Sequence, residues 1–176
     1  MKQHIIETFP EIMDITDDHL RNKVIQMWAD TLKLSDFERL DGIPFTLLIP
    51  DADEDFVQHT RRVTAMARAV AEQRDDVNMD LIIAGGLLHD VGKLLEYTPQ
   101  EGGVRKSRFG RLIRHPVSGV WLAMKNELPV EIAHIIGAHS KEGELVERIP
   151  EAIIVNHCDF IDFDIAKYRH RKKGEK

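Results

Sequence analysis

Apolar positions recur three and four residues apart over most of this chain, the spacing that lays one stripe of a helix against a core. Leu20, Val24, Met27, Trp28 and Leu32 form the first stripe, with Thr16 or Asp17 placed to cap the helix start. SDFERL offers one more short helical turn, and DGIPFTLLIPDAD, with two prolines and a glycine, reads as a connector. A second helix is predicted over about 54–74, striped by Phe56, Val63, Met66 and Val70, with Asp51 and Glu54 near capping-box spacing. Asn78 caps a third that reaches about Leu95.

YTPQEGGVRKSRFGRLIRHP then reads as a glycine-rich, basic loop. Pro116 suits the first position of a fourth helix carrying Val120, Trp121 and Met124. Pro129 opens a fifth through Ile132, Ile135 and Ile136, and Pro150 a sixth through Val155, Phe163 and Ala166. FTLLI is the best strand candidate, and it is too short to argue against a helical reading. The predicted class is all-α, a helical bundle. Residues 1–50 are expected as a helical extension packed on a core of residues 51–168, followed by a polar, frayed tail over 169–176.

Composition narrows the function. A chain of 176 residues is long enough for one domain with a real core. The net charge of −6 argues against general nucleic-acid affinity. Cys158 is the single cysteine, so no intrachain disulfide can form. MKQHIIETFP lacks the apolar core of a signal peptide, and no apolar run approaches membrane-span length. A cytoplasmic protein that contacts neither membrane nor nucleic acid is expected.

The candidate chemistry comes from ionisable residues on inward stripes. His59 lies three after Phe56 and four before Val63; His89 lies seven after Ile82; His139 follows Ile135 by four; Asp159 follows Val155 by four. His115 stands at a helix entrance, just before Pro116. One buried histidine is ordinarily a hydrogen-bonded core residue. Five inward sites in one domain point instead to a metal, because imidazole and carboxylate suit transition ions and helix bundles build such sites in their cores. A metal would also balance Asp90 and ligate a neutral His89. His4, His19, His134, His157 and His170 fall off these faces or outside the region and are read as non-ligands. Gly85 and Gly86 are read as a close helix approach, and Cys158 as a buried structural thiol.

In order and spacing, His59, then His89-Asp90 within LLHDVGK, then Asp159 resembles the HD superfamily of metal-dependent phosphohydrolases, whose central motif has an "HDIGK" form. The resemblance runs from about Glu54 to Ala166 and is similar to the small bacterial diadenosine tetraphosphate hydrolases of that superfamily. It implies an all-α HD-domain fold. His115 and His139 match the branch with two metals. In that branch one ion would take His59, His89, Asp90 and Asp159, and the second His115 and His139, with Asp90 bridging. Two divalent transition ions are implied, Fe or Mn first, with Co, Ni or Zn as further candidates.

The expected function is a metal-dependent phosphohydrolase acting on a nucleotide or another small phosphate ester or anhydride, for example a dinucleoside polyphosphate. Paired cations lower the pKa of a water and neutralise a phosphoryl group under attack. Asp90 and Lys93 are the expected catalytic residues, Lys93 donating to a phosphate oxygen as a point charge. Gly102–Arg114 contains Arg105, Lys106, Arg108, Arg111 and Arg114, five cations in an acidic protein. They read as a phosphate funnel, with Arg105, Arg108 and Arg111 expected to bind substrate. Two rival readings are a di-iron oxygenase on the same fold, since the ligand set serves both chemistries, and a non-enzymatic metal-binding regulatory domain.

Overall fold

Three short side chains start the long helices. In the computed structural model, which describes residues 1–49 and 55–174, helix α1 spans Lys2–Thr8 and a 3₁₀ turn follows at Pro10–Asp14. Helices α2 (Asp18–Leu34), α3 (Phe56–Ala71) and α4 (Met79–Leu88) come next. Asp17 caps α2 by accepting from the His19 and Leu20 amides, Asp55 caps α3 at Gln58, and Asn78 caps α4 at Asp80 and Leu81. The expected pair Asp51 and Glu54 lies outside the described residues. A one-turn α5 (Lys93–Glu96) leads into a hairpin of β1 (Tyr97–Gln100) and β2 (Gly103–Lys106). Helices α6 (His115–Lys125), α7 (Val130–Ala138) and α8 (Pro150–Gly174) complete the order, with a 3₁₀ turn at Lys141–Leu145 between the last two.

One core gathers side chains from both ends of the sequence. Ile5, Phe9, Ile12, Val24 and Trp28 share it with Phe56, Val63, Leu87, Ile135 and Val155. The Asp80 carboxylate ties the N-terminal segment to α4, accepting from the Thr16 and Asp17 amides and the Thr16 hydroxyl. Gly85 and Gly86 sit where helices nearly touch. A Cβ on Gly85 would lie 2.8 Å from Ile135 Cγ2, and one on Gly86 would lie 3.0 Å from Thr64 Cα. Helix α4 is thereby pressed between α3 and α7.

Several expectations need correction. The third helix does not reach Leu95. It ends at Leu88, and the chain turns over 89–92 with i→i+3 bonds, Val91 N–H to Leu88 O and Lys93 N–H to Asp90 O. The turn lets Gly92 lie on α6, where a Cβ would come within 2.1 Å of the His115 carbonyl oxygen. FTLLI is irregular, with Phe45 and Ile49 packed on Ala166 and Phe163. The strands lie instead in the segment read as loop, paired from Tyr97↔Lys106 to Gln100↔Gly103 and turned at Gly102, whose φ is 76°. SDFERL forms no helix, and α8 continues through the expected frayed tail to Gly174. Val70, Trp121 and Met124 face solvent. The inward positions there are Ala67 and Ala71 on α3, and Ser118, Gly119, Leu122 and Ala123 on α6. Among the described residues no helix is long and apolar enough to cross a membrane.

Candidate metal centre

The turn after α4 carries two adjacent side chains into one place. His89 Nε2 is 3.4 Å from Asp90 Oδ2, and His59 Nε2, from α3, is also 3.4 Å from that oxygen. His59 Nε2 lies 3.3 Å from His89 Nε2 and 3.2 Å from Asp159 Oδ1 on α8. The second Asp90 oxygen faces the other way: Oδ1 is 3.3 Å from His115 Nε2 and 3.5 Å from His139 Nε2. The six expected residues therefore come together in two groups able to hold a metal ion, His59–His89–Asp159 and Asp90–His115–His139, with Asp90 facing both. All but Asp159 are buried.

Each imidazole is fixed from behind. Nδ1 of His89 is 2.6 Å from the Gly86 carbonyl oxygen, and Nδ1 of His139 is 2.7 Å from that of Ile136. Nδ1 of His59 is 2.7 Å from Asp162 Oδ2, and Nδ1 of His115 is 2.8 Å from Glu96 Oε2. Four acceptors assign the proton to Nδ1 and leave the Nε2 lone pairs facing the cluster. Two such lone pairs 3.3 Å apart, beside buried carboxylates, require a proton or a cation between them. The donor set, four imidazoles and two carboxylates, suits a divalent transition ion.

Charge in the cluster follows from the same contacts. Burial opposes a proton on His59, but hydrogen bonds to Asp159, Asp162 and Asp90 outweigh it and lift the imidazole to about 10. Burial likewise works against Asp90, yet Lys93 and the surrounding imidazoles hold its carboxyl well below the usual range. Burial pushes His115 down despite Glu96. Lys93 is buried, donates to Asp90 Oδ2 and to the Phe45 carbonyl, and is held protonated by the Asp90 charge against the cost of burial.

The cluster opens on a cavity of about 340 Å³. One wall is apolar, with Phe45, Leu47, Phe160 and Phe163; the rim is cationic, with Lys106, Arg114, Lys141 and Lys167. Phe45 stacks at a tilt over His59, ring centroids 4.8 Å apart. Arg105, Arg108 and Arg111, expected as substrate ligands, do not line this cavity. On β2 side chains alternate, so Lys106 turns inward and Arg105 outward. Arg111 donates to the Lys106 carbonyl, and Arg108 lines a separate depression beside Phe109 and Trp121.

Sequence reasoning missed Asp162, Glu96, Lys141, Lys167 and Phe45. Asp162 lies three after Asp159, and Glu96 three after Lys93, each on the face of a chosen residue. That spacing was the available signal. His134 and His157 stay apart from the cluster, His134 accepting from the Ile149 amide at 3.3 Å.

Residues 56–172 match the family model described as HD domain. The chain is 32% identical over 117 residues to the dihydroneopterin 2',3'-cyclic phosphate phosphodiesterase of Methanocaldococcus jannaschii, covering 62% of this chain and 46% of that protein. It is 31% identical over 135 residues to the 3'-5' exoribonuclease YhaM of Listeria welshimeri, covering 66% of this chain and 42% of that protein. The YhaM of Listeria monocytogenes is similar at 30%. The chain thus spans under half the length of the curated relatives it matches. No solved structure gives a significant match.

Proposed function

We propose, from the premise that this chain belongs to the HD domain family, that it is a metal-dependent phosphohydrolase acting on a phosphate ester or anhydride of a nucleotide-sized molecule. The observation that carries the reading is the pair of donor groups facing one Asp90 carboxylate at the floor of a cavity with a cationic rim. His59, His89 and Asp159 would hold one divalent ion, and His115 and His139 a second, with Asp90 between them. When bound, such ions lower the pKa of water and neutralise charge on a phosphoryl group.

The remaining work belongs to the chain's own side chains. Lys93 Nζ uses two of its three donors on Asp90 and the Phe45 carbonyl. The third is available to a non-bridging phosphate oxygen. Lys106, Arg114 and Lys141 receive the rest of the phosphate charge at the rim. Phe45, Phe160 and Phe163 offer an apolar, aromatic wall to a planar base, and Phe45 keeps water from His59. One relative is named for a cyclic phosphate and others for RNA. We favour a small nucleotide over RNA because the net charge is −6. The cytoplasmic location expected from the sequence belongs to the same proposal.

The test reconstitutes the protein with Mn²⁺ or Fe²⁺. It is then assayed on nucleoside monophosphates, 2',3'-cyclic nucleotides, dinucleoside polyphosphates and short RNA, in air and under nitrogen. Metal-dependent hydrolysis of a small nucleotide, equal in both gases, is expected. A product formed only with oxygen would replace hydrolysis with oxygen chemistry, and turnover of RNA alone would overturn the small-substrate reading.

A further inference from the structure

Two of the four imidazoles are oriented by backbone carbonyls and two by carboxylates, one of each in each donor group. The carbonyl ties are local, from residue i to i−3 on α4 and α7. The carboxylate ties reach across the fold, and each carboxylate has its own cation. Asp162 is clamped by Arg62, whose Nε lies 2.7 Å from Oδ1 and whose second nitrogen lies 3.0 Å from Oδ2. Glu96 is different, because its cation belongs to the cavity. Its Oε2 accepts from the His115 ring and, at 2.7 Å, from the His115 amide; its Oε1 is 3.1 Å from Lys106 Nζ. Glu96 itself is buried, and both Glu96 and Lys106 line the cavity.

We propose that Glu96 is a positioning residue that sets the affinity of the Asp90–His115–His139 group for its ion and joins that group to the rim through Lys106. Glu96 holds the His115 proton on Nδ1, aims Nε2 at Asp90, and fixes the first turn of α6 through the amide. Lys106 keeps the Glu96 carboxylate from turning toward solvent. Asp162 is the matched control: it does the same for His59 in the other donor group, and Arg62 holds it. The inference rests on the metal reading above, and its failure is separable from failure of that reading.

The experiment is calorimetric titration of metal-stripped full chain with Mn²⁺ for wild type, Glu96→Gln, Asp162→Asn and Lys106→Met, with circular dichroism to confirm folding. Wild type is expected to show two binding events. If it shows none, the metal reading itself falls. Glu96→Gln is expected to weaken one event by roughly 10- to 100-fold and leave the other, the scale for losing an orienting partner of a metal-bound histidine. Asp162→Asn is expected to weaken the other event instead. Two wild-type events that Glu96→Gln leaves unchanged, or weakens equally, would sink the inference alone. If Glu96→Gln does not fold, Lys106→Met decides. Its half-exposed ammonium can be removed without opening the core, and it should weaken the same single event several-fold. No change with Lys106→Met overturns the link to the rim.

Discussion

The floor and the rim of the cavity are built differently. On the floor, His59, His89, Asp90, Lys93, His115 and His139 are all buried, and each has its polar atoms engaged by named partners. Their backbones lie on or beside helices pressed to contact distance. The carboxyl end of α7 is also capped: Arg148 bonds the Ala138 and Ser140 carbonyls, and Asn156 bonds that of His139 at 2.6 Å. The rim is made of a short hairpin, a helix entrance, a 3₁₀ turn and the solvent face of α8. Arg114, Lys141 and Lys167 are exposed, and Arg114 pairs with Glu142 at 3.1 Å. A preorganised floor can fix reacting groups, whereas a solvated rim can attract charge but fixes little. The floor should therefore control turnover and the rim should control affinity.

The sharpest way to break that division is Asp90→Asn. The amide keeps the shape but removes the charge that faces both donor groups. Phosphate release under saturating substrate should fall by at least ~100-fold, the scale for losing a positioned catalytic group. Elemental analysis of the same sample should show less bound metal. An Asp90→Asn protein with full metal content and near wild-type turnover would remove the floor from the chemistry.

Next in size is Gly92→Ala. Its Cβ would meet the His115 carbonyl oxygen at 2.1 Å and Ser118 Oγ at 2.6 Å, so α5 and α6 must part. The expected cost is about 1–3 kcal/mol, typical of overpacking, read from denaturant unfolding of the metal-free chain. His115 moves with α6, so its group should also lose metal affinity. A variant as stable as wild type would mean that the contact yields cheaply.

On the rim, Lys141→Ala should act on binding. Losing one charge-assisted contact to phosphate should raise KM by about 10-fold with kcat held. The unfolding midpoint should not move, because Lys141 is exposed. A fall in kcat at constant KM would place Lys141 with the floor.

The same division decides how much was legible in the sequence. His59, His89, His139 and Asp159 sit among apolar residues at helical spacing, so period alone put them inside. Their partners were harder to see. Glu96, at the end of α5, and Asp162, in the middle of α8, look like ordinary acidic residues until the neighbouring helix is known to place a histidine opposite. The break after Leu88 depends on how closely Gly92 meets α6, which no local pattern contains. The hairpin has four-residue strands, half exposed, with Pro99 inside one of them. Its propensity signal is therefore weak. On α6 the bulky Trp121 and Met124 suggested the wrong face, since the packed face joins Leu122 to the small Ser118, Gly119 and Ala123.

The smallest expected effect tests the alternation of that hairpin. Burial along β2 runs exposed, half-buried, exposed, half-buried from Gly103 to Lys106. Arg105 therefore points away from the cavity while Lys106 points toward it. Arg111 reaches the Lys106 carbonyl at 3.2 Å, which fixes the loop but leaves its guanidinium outside the cavity wall. Charges so placed act on substrate only through solvent, where salt screens them. Changing Arg105, Arg108 and Arg111 together to alanine should hence leave KM within about two-fold at physiological ionic strength. A modest further rise at low salt is expected, because the Debye length grows as salt is removed. A tenfold rise at physiological salt would return these arginines to the substrate path. It would mean that the hairpin folds over the cavity when substrate binds, and that the rim is assembled by the ligand rather than waiting for it.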